Sequence, residues 1–283
     1  MDWLQALILG IIQGLTEFLP IISSGHLIIG KEILGLEATN NIAFETVVHC
    51  ATVLSTITIL RKEIATLLLK LFKLEWNPET KYIGMILLSM IPVMIVGLFF
   101  KKNVEQLFGE GLSLVGAMLL VTAVLLALSS FKSSRFKVQS SNSLNIKSLN
   151  LEYINAKSMN WKSALFIGIA QAVAVLPGLS RSGATIATGL LAGVKKEEVA
   201  KFSFLMVLIP ILGETMLGTM KGDFSVAVSG IPASSLIIGF FTAYLCGCFA
   251  CKFMIELIKR TNLLWFAIYC AIAGTIALIY SLC

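Results

Sequence analysis

A chain that must hide six long apolar runs with almost no charge has few folds open to it. Residues 42–60, 82–100, 111–131, 202–220, 224–251 and 261–283 each approach the ~20 residues a helix needs to cross hydrocarbon. Glu45, His49 and Glu214 are the only Asp, Glu, Lys, Arg or His side chains in all six. No alternation of period two competes with the helical reading. With 57% hydrophobic and only 13% charged residues, the chain reads as an integral membrane protein rather than a soluble domain.

Two more apolar segments, 3–30 and 163–194, are long enough to enter a membrane but are broken by proline, glycine, serine and ionisable groups. The opening Met1-Asp2-Trp3 offers no basic leader and no small-residue cleavage site, so the first segment is expected to stay in the mature chain. The six cysteines, at 50, 246, 248, 251, 270 and 283, show neither paired CxxC nor His-Cys metal spacing and read as small helix residues. A net charge of +6 sits in the loops between apolar runs, so it signals topology and not a nucleic-acid surface.

Shifting the chain by 158 residues lays "WLQALILGIIQ" (3–13) over "WKSALFIGIAQ" (161–171), and 10 of the 34 positions from 3 to 36 match. Trp3 falls on Trp161, Gly10 on Gly168, Gln13 on Gln171 and Gly35 on Gly193, pairings that shared apolarity does not supply. The chain is therefore an internal duplication. It divides into a first half (1–131), a polar Ser, Asn and Lys-rich cytoplasmic linker (132–160) and a second half (161–283).

Charge in the loops sets the topology. If the two broken segments turn back without crossing, 17 Lys and Arg collect on one side and 4 on the other, whereas a fully spanning arrangement gives 12 and 9. The positive-inside rule favours the first. The expectation is an all-α polytopic membrane protein with six spans and two re-entrant segments. Three spans per half is odd, so the second half enters upside down, as an inverted-topology repeat. Non-helical backbone at that depth survives only inside protein or beside water, so the two broken segments are expected to build a polar cavity.

The polar residues have chemical meaning. Gln13 and Glu17 share a helix face by i, i+4 spacing ahead of Pro20, and Ser23, Ser24 and His26 follow in "SSGH". In the second segment, Ser180, Arg181, Ser182, Gly183 and Thr185 surround a Pro-Gly turn and the start of a new helix, whose free N–H groups suit an anion. Arg181 is the only Arg or Lys in 4–30 and 163–194. Intramembrane arginine is costly and its planar fork matches phosphate oxygens. Ser23 with His26 supplies a nucleophile and a proton carrier, while Glu17 can hold a divalent cation or orient the histidine. Phosphoryl transfer or hydrolysis is the chemistry this suggests. Glu45 and His49 either line the cavity or pair with each other, and Glu214 is read as a polar contact between helices.

Across essentially its whole length the chain resembles the bacterial undecaprenyl pyrophosphate phosphatases of the bacitracin-resistance type. The resemblance rests on "QGLTEFLPIISSGH" (13–26) and "PGLSRSGAT" (177–185), with "FSFLM" (202–206) and "FAIY" (266–269) in support. It implies hydrolysis of undecaprenyl diphosphate to the monophosphate, recycling of that carrier for peptidoglycan synthesis, bacitracin resistance and a divalent cation, Mg²⁺ or Ca²⁺. On this resemblance the proposed serine nucleophile falls on Ser23 and the essential histidine on His26, with His26 as nucleophile the alternative the sequence leaves open, and Glu17 positions the metal or the histidine. Arg181 with Gln13, Ser24, Ser180, Ser182, Gly183 and Thr185 holds the substrate. Where members commonly carry a serine this chain has Ile22, and Gln13 stands at a position shared by Glu and Gln, leaving Glu17 as that motif's one carboxylate.

The implied partners are the polyprenyl diphosphate and membrane lipid, without nucleic acid, and a homo-oligomer is left open. The implied place is the bacterial inner membrane, with the site opening to the extracytoplasmic face. Two other readings use the same residues. A transporter or flippase would bind the phosphorylated lipid without cleaving it, although Ser, His, Arg and Glu together are richer than binding requires. A second class of membrane phosphatase needs a histidine after its arginine, and none follows Arg181.

Overall fold

The computed structural model describes residues 1–36, 42–71, 77–100, 112–141, 158–221 and 230–282. These form twelve helices: α1 (Trp3–Thr16), α2 (Ser23–Ile33), α3 (Ile42–Ile59), α4 (Arg61–Leu71), α5 (Pro78–Phe99) and α6 (Leu112–Ser141), then α7 (Trp161–Val173), α8 (Arg181–Leu191), α9 (Lys196–Met206), α10 (Leu208–Lys221), α11 (Ala233–Arg260) and α12 (Leu264–Leu282). Among the described residues, four stretches are long and apolar enough to cross a membrane, Pro78–Phe99, Ser113–Lys132, Ala233–Lys259 and Leu264–Ser281. The α3 and α4 helices form a bent pair, turning by 78°. Leu98, Phe99, Leu245, Phe249, Trp265 and Ile276 lie largely exposed on the long helices. Water would penalise that surface and lipid does not, so the protein is a multi-pass helical membrane protein.

One of the six apolar runs differs from its expected form. Residues 202–220 are not one helix but the end of α9 and most of α10, broken at Val207. Pro210 lies in the first turn of α10, where its missing N–H costs nothing, but it cannot donate to Met206 as a continuous helix would require. Helix α6 runs nine residues past Lys132, into the polar linker, and residues 142–157 lie outside the described ones. The Lys132 ammonium donates to the Leu191 carbonyl at 2.6 Å, satisfying an orphan acceptor at the C-terminus of α8.

The duplication persists in the backbone. Helices α1 and α7 begin 158 residues apart, and α2 and α8 both begin and end 158 apart. Gly35 (φ 66°) and Gly193 (φ 81°) close the later pair in the left-handed conformation. Each first helix is also capped: Asp2 accepts from the Gln5 amide at 2.7 Å, and Asn160 from Ser163 at 2.9 Å. The five described cysteines, Cys50, Cys246, Cys248, Cys251 and Cys270, are free thiols.

The chain forms two compact units, and each takes helices from both halves of the sequence. One unit contains residues 1–75 and 204–256, the other 76–203 and 257–283. In the first, Gly10 lets α1 approach α11 so closely that a Cβ there would stand 2.7 Å from the Gly239 carbonyl. In the second, the matching Gly168 brings α7 onto α5, where a Cβ would stand 2.4 Å from the Ser89 carbonyl. Small residues at such crossings let backbones pack directly, the main source of helix association where lipid is as apolar as the side chains. Gly168→Ala is expected to lower stability by about 1–3 kcal/mol through overpacking. Gly97→Ala, with nothing within 4 Å, is expected to be neutral or slightly stabilising. Thermal unfolding in detergent compares the two.

Candidate active site

In the first unit the turn between α1 and α2 collects the polar side chains. Glu17 caps the C-terminus of α1, its N–H bonded to the Gln13 carbonyl at 3.0 Å. Gln13 donates its side-chain amide to Glu17 Oε2 at 2.9 Å, as the i, i+4 spacing requires. Ser23, the first residue of α2, donates its hydroxyl to the same Oε2 at 2.8 Å. A hydroxyl bonded to a half-buried carboxylate is both oriented and ready to lose its proton. Behind them Phe18 is buried and meets Phe204 edge-on at 5.5 Å, so part of "FSFLM" forms an apolar wall of this cluster.

His26, one turn into α2, donates Nδ1–H to the Ile22 carbonyl, which leaves Nε2 with its lone pair. Ser24 is exposed. His49 on α3 donates Nδ1–H to the Glu45 carbonyl at 2.8 Å and brings Nε2 within 3.6 Å of Glu17 Oε2.

Of the two expectations for Glu45 and His49, side-chain pairing with each other is not what the geometry shows. The Glu45 carboxylate takes Lys31 of α2, whose side chain is 5% exposed against 39% for Glu45. Sequence reasoning missed this role because Lys31 lies one residue past the first broken segment, 3–30, and was counted only as a loop charge. A buried ammonium stripped of its partner is costly. Glu45→Ala is therefore expected to destabilise by about 3 kcal/mol, and Lys31→Met with Glu45→Leu to recover most of it, as read by thermal unfolding. The side chain of Glu214 lies outside the described residues.

In the second unit, Gly178 (φ 91°) turns the chain after Pro177, and a Cβ there would stand 2.5 Å from Val115 Cα. No L-residue satisfies both conditions. Ser180 then caps α8: its Oγ accepts from the Gly183 N–H at 3.1 Å, and its own N–H donates to Thr122 Oγ1 at 3.2 Å. Ser182 Oγ lies 3.4 Å from Ser180 Oγ. Gly183 is buried, where a Cβ would crowd Ser180 and Thr122. Thr185 is also buried, bonding the Arg181 carbonyl at 2.9 Å and the hydroxyl of Ser203. Thr122 and Ser203 thus support the turn, and only the family stretch "FSFLM" hinted at Ser203.

Arg181 occupies the first turn of α8, half-buried, and no carboxylate of its own unit pairs with it among the described residues. A cation placed beside the positive end of a helix lacks any local compensation. The arrangement suits an anion that brings its own charge.

Buried acceptors without donors mark the duplicated glutamines. Gln13 Oε1 and Gln171 Oε1 meet no hydrogen-bond donor, although both residues are essentially inaccessible. Such an oxygen costs about 1–3 kcal/mol unless a bound group repays it. In the second half Val175 replaces the carboxylate, so only the first half puts that oxygen beside a Glu. Hard divalent cations take oxygen ligands, keep much of their water and need one or two protein carboxylates. Gln13 Oε1 and Glu17 fit that requirement. Among the described residues, no three His, Cys, Asp or Glu side chains form a metal cluster.

The chain is thus a multi-pass helical membrane protein with a carboxylate-bound serine in one unit and, in the other, an arginine that no carboxylate of its own unit pairs with among the described residues. A protein-family model described as Bacitracin resistance protein BacA matches residues 6–276, and the chain belongs to that family. It is 52% identical over 282 residues to an undecaprenyl-diphosphatase of Bacteroides fragilis, covering 99% of each chain. It is 53% identical to one of Parabacteroides distasonis over 98% of each, and 43% identical to one of Christiangramia forsetii over 99% of each.

Proposed function

We propose that the chain hydrolyses undecaprenyl diphosphate to undecaprenyl phosphate and inorganic phosphate, returning the lipid carrier to peptidoglycan synthesis. The observation that carries the mechanism is the Ser23 hydroxyl held on Glu17 at 2.8 Å, in a chain of the BacA family. Ser23 Oγ attacks the terminal phosphorus and Glu17 takes its proton. As the new O–P bond forms, the bond from phosphorus to the bridging oxygen breaks, and undecaprenyl phosphate leaves. Water then displaces Ser23 from the phosphoryl group, with His26 Nε2 accepting the water proton and returning it to solvent as phosphate departs. The serine regains its proton from Glu17.

Arg181 binds the phosphate oxygens, with Ser182 and the N–H groups at the start of α8 beside it. Ser180, Gly183 and Thr185 hold that turn in shape. Glu17 and Gln13 would hold the divalent cation, which when bound neutralises charge on the diphosphate. For the topology, the loop-charge asymmetry and the helix registers repeated at 158 residues support six spans, two re-entrant segments and an inverted repeat. We place the protein in the inner membrane with the site facing outward, where spent carrier is released, and leave a homo-oligomer open.

The test is phosphate release from undecaprenyl or farnesyl diphosphate by protein purified in detergent, with Mg²⁺ or Ca²⁺ and with chelator. Cation-dependent release is the expected result. Well-folded protein that binds the lipid and releases nothing would replace this reading with a lipid transporter.

A further inference from the structure

We infer that His49 is a further ligand of the divalent cation held at Glu17, so that the site has mixed nitrogen and oxygen donors. The inference rests on the cation proposed above. Its starting point is the imidazole itself. A backbone carbonyl can only accept, so the 2.8 Å contact to Glu45 fixes the proton on Nδ1. In the neutral ring, Nε2 then presents a lone pair to Glu17 Oε2, 3.6 Å away.

Oε2 accepts from the Gln13 amide and the Ser23 hydroxyl, and a cation seated between it and Nε2 would draw on the lone pairs of both. The separation is too long for a hydrogen bond. It lies just beyond the spacing of two neighbouring ligands of one ion, since donors about 2.1 Å from a divalent metal, at tetrahedral to octahedral angles, lie roughly 3.0–3.5 Å apart, so a bound ion would draw the pair slightly together. The second shell also fits, because a metal-bound histidine almost always donates its other N–H to a carbonyl or carboxylate. Here the Glu45 carbonyl accepts it, while the Glu45 side chain is held by Lys31. Both ligand residues are largely buried, with side chains 20% and 11% exposed, and buried Gln13 Oε1 is an unmatched third donor on the helix that carries Glu17.

Imidazole shifts preference from Mg²⁺ and Ca²⁺ toward first-row metals, while carboxylate and amide oxygens keep Mn²⁺ acceptable. The rival account of the same contact is an ion pair between a protonated His49 and Glu17. The two make opposite predictions: removing a ligand weakens cation binding, whereas removing a positive neighbour strengthens it.

The experiment titrates Mn²⁺ into the full-length protein in detergent without substrate, following free Mn²⁺ by electron paramagnetic resonance and competing with Mg²⁺. Wild type is expected to bind Mn²⁺ saturably, and both His49→Ala and Glu17→Gln to weaken it by about tenfold or more. His49→Gln retains bulk and an oxygen donor. It is expected to keep Mg²⁺ binding and the wild-type unfolding temperature while losing the preference for Mn²⁺. A nitrogen coupling in the pulsed spectrum of bound Mn²⁺ is expected in wild type and in His26→Gln, and is expected to vanish in His49→Gln. Binding as tight or tighter in His49→Ala, with Glu17→Gln still impaired, overturns the role of His49 alone. Absence of saturable binding in wild type overturns it together with the proposed cation, leaving the phosphatase assay to stand by its own result.

Discussion

Ser23→Ala is expected to cut phosphate release by at least about 10³-fold, the usual scale for deleting a nucleophile that acts with its base as a unit. The loss should fall on kcat, because the hydroxyl contributes through the bond it forms rather than through binding. Folding should survive, since the variant removes one hydroxyl and leaves Gln13 on Glu17. The neighbouring Ser24→Ala supplies the contrast. Ser24 is exposed, and its loss should cost less than about tenfold. If activity depended on Ser24, or if Ser23→Ala remained active, water or His26 would have to be the attacking group. Phosphate-release kinetics with thermal unfolding alongside separate these outcomes, and a phosphorylated protein trapped from wild type but not from Ser23→Ala would identify the intermediate.

The second large effect belongs to Arg181. Arg181→Ala is expected to lower kcat/KM by about 10²–10³-fold, corresponding to loss of charge-assisted hydrogen bonds worth ~3–4 kcal/mol. Arg181→Lys should restore little, because a point charge does not reproduce two parallel N–H donors. Much of the change should appear in KM if the arginine grips the substrate before reaction, and in kcat if it tightens only as charge moves to the leaving oxygen. Stability should hardly change, since among the described residues Arg181 has no carboxylate of its own unit to abandon. That sets it apart from Lys31, whose buried ammonium depends on Glu45 and makes it structural.

Sequence reasoning reached the parts of this site that depend on short distances along the chain. Gln13 with Glu17, four apart, and the Pro-Gly turn before Ser180 follow from helix period and turn chemistry, and both are realised. Glu17 with Ser23 depends on how residues 18–22 turn, and periodicity does not determine that path. The bonds between Lys31 and Glu45, Glu17 and His49, and Thr185 and Ser203 each join separate helices, so spacing on one helix could not reveal them. The break at Val207 was hidden for another reason: hydropathy averages over a turn when the residues on both sides are apolar. The duplicate glutamines were visible as matched letters, but their unsatisfied oxygens appear only once burial is known.

The interleaving of helices between the two compact units bears on how the chain can be made. The unit that holds Glu17, Ser23 and His26 begins at residue 1 but is completed by residues 204–256. A growing chain therefore emerges with α1 and α2 long before α11 exists to receive Gly10, and contacts across more than 200 residues must close late. The first half has no finished unit to fold into during synthesis, and its polar turn has to wait until α11 is in place.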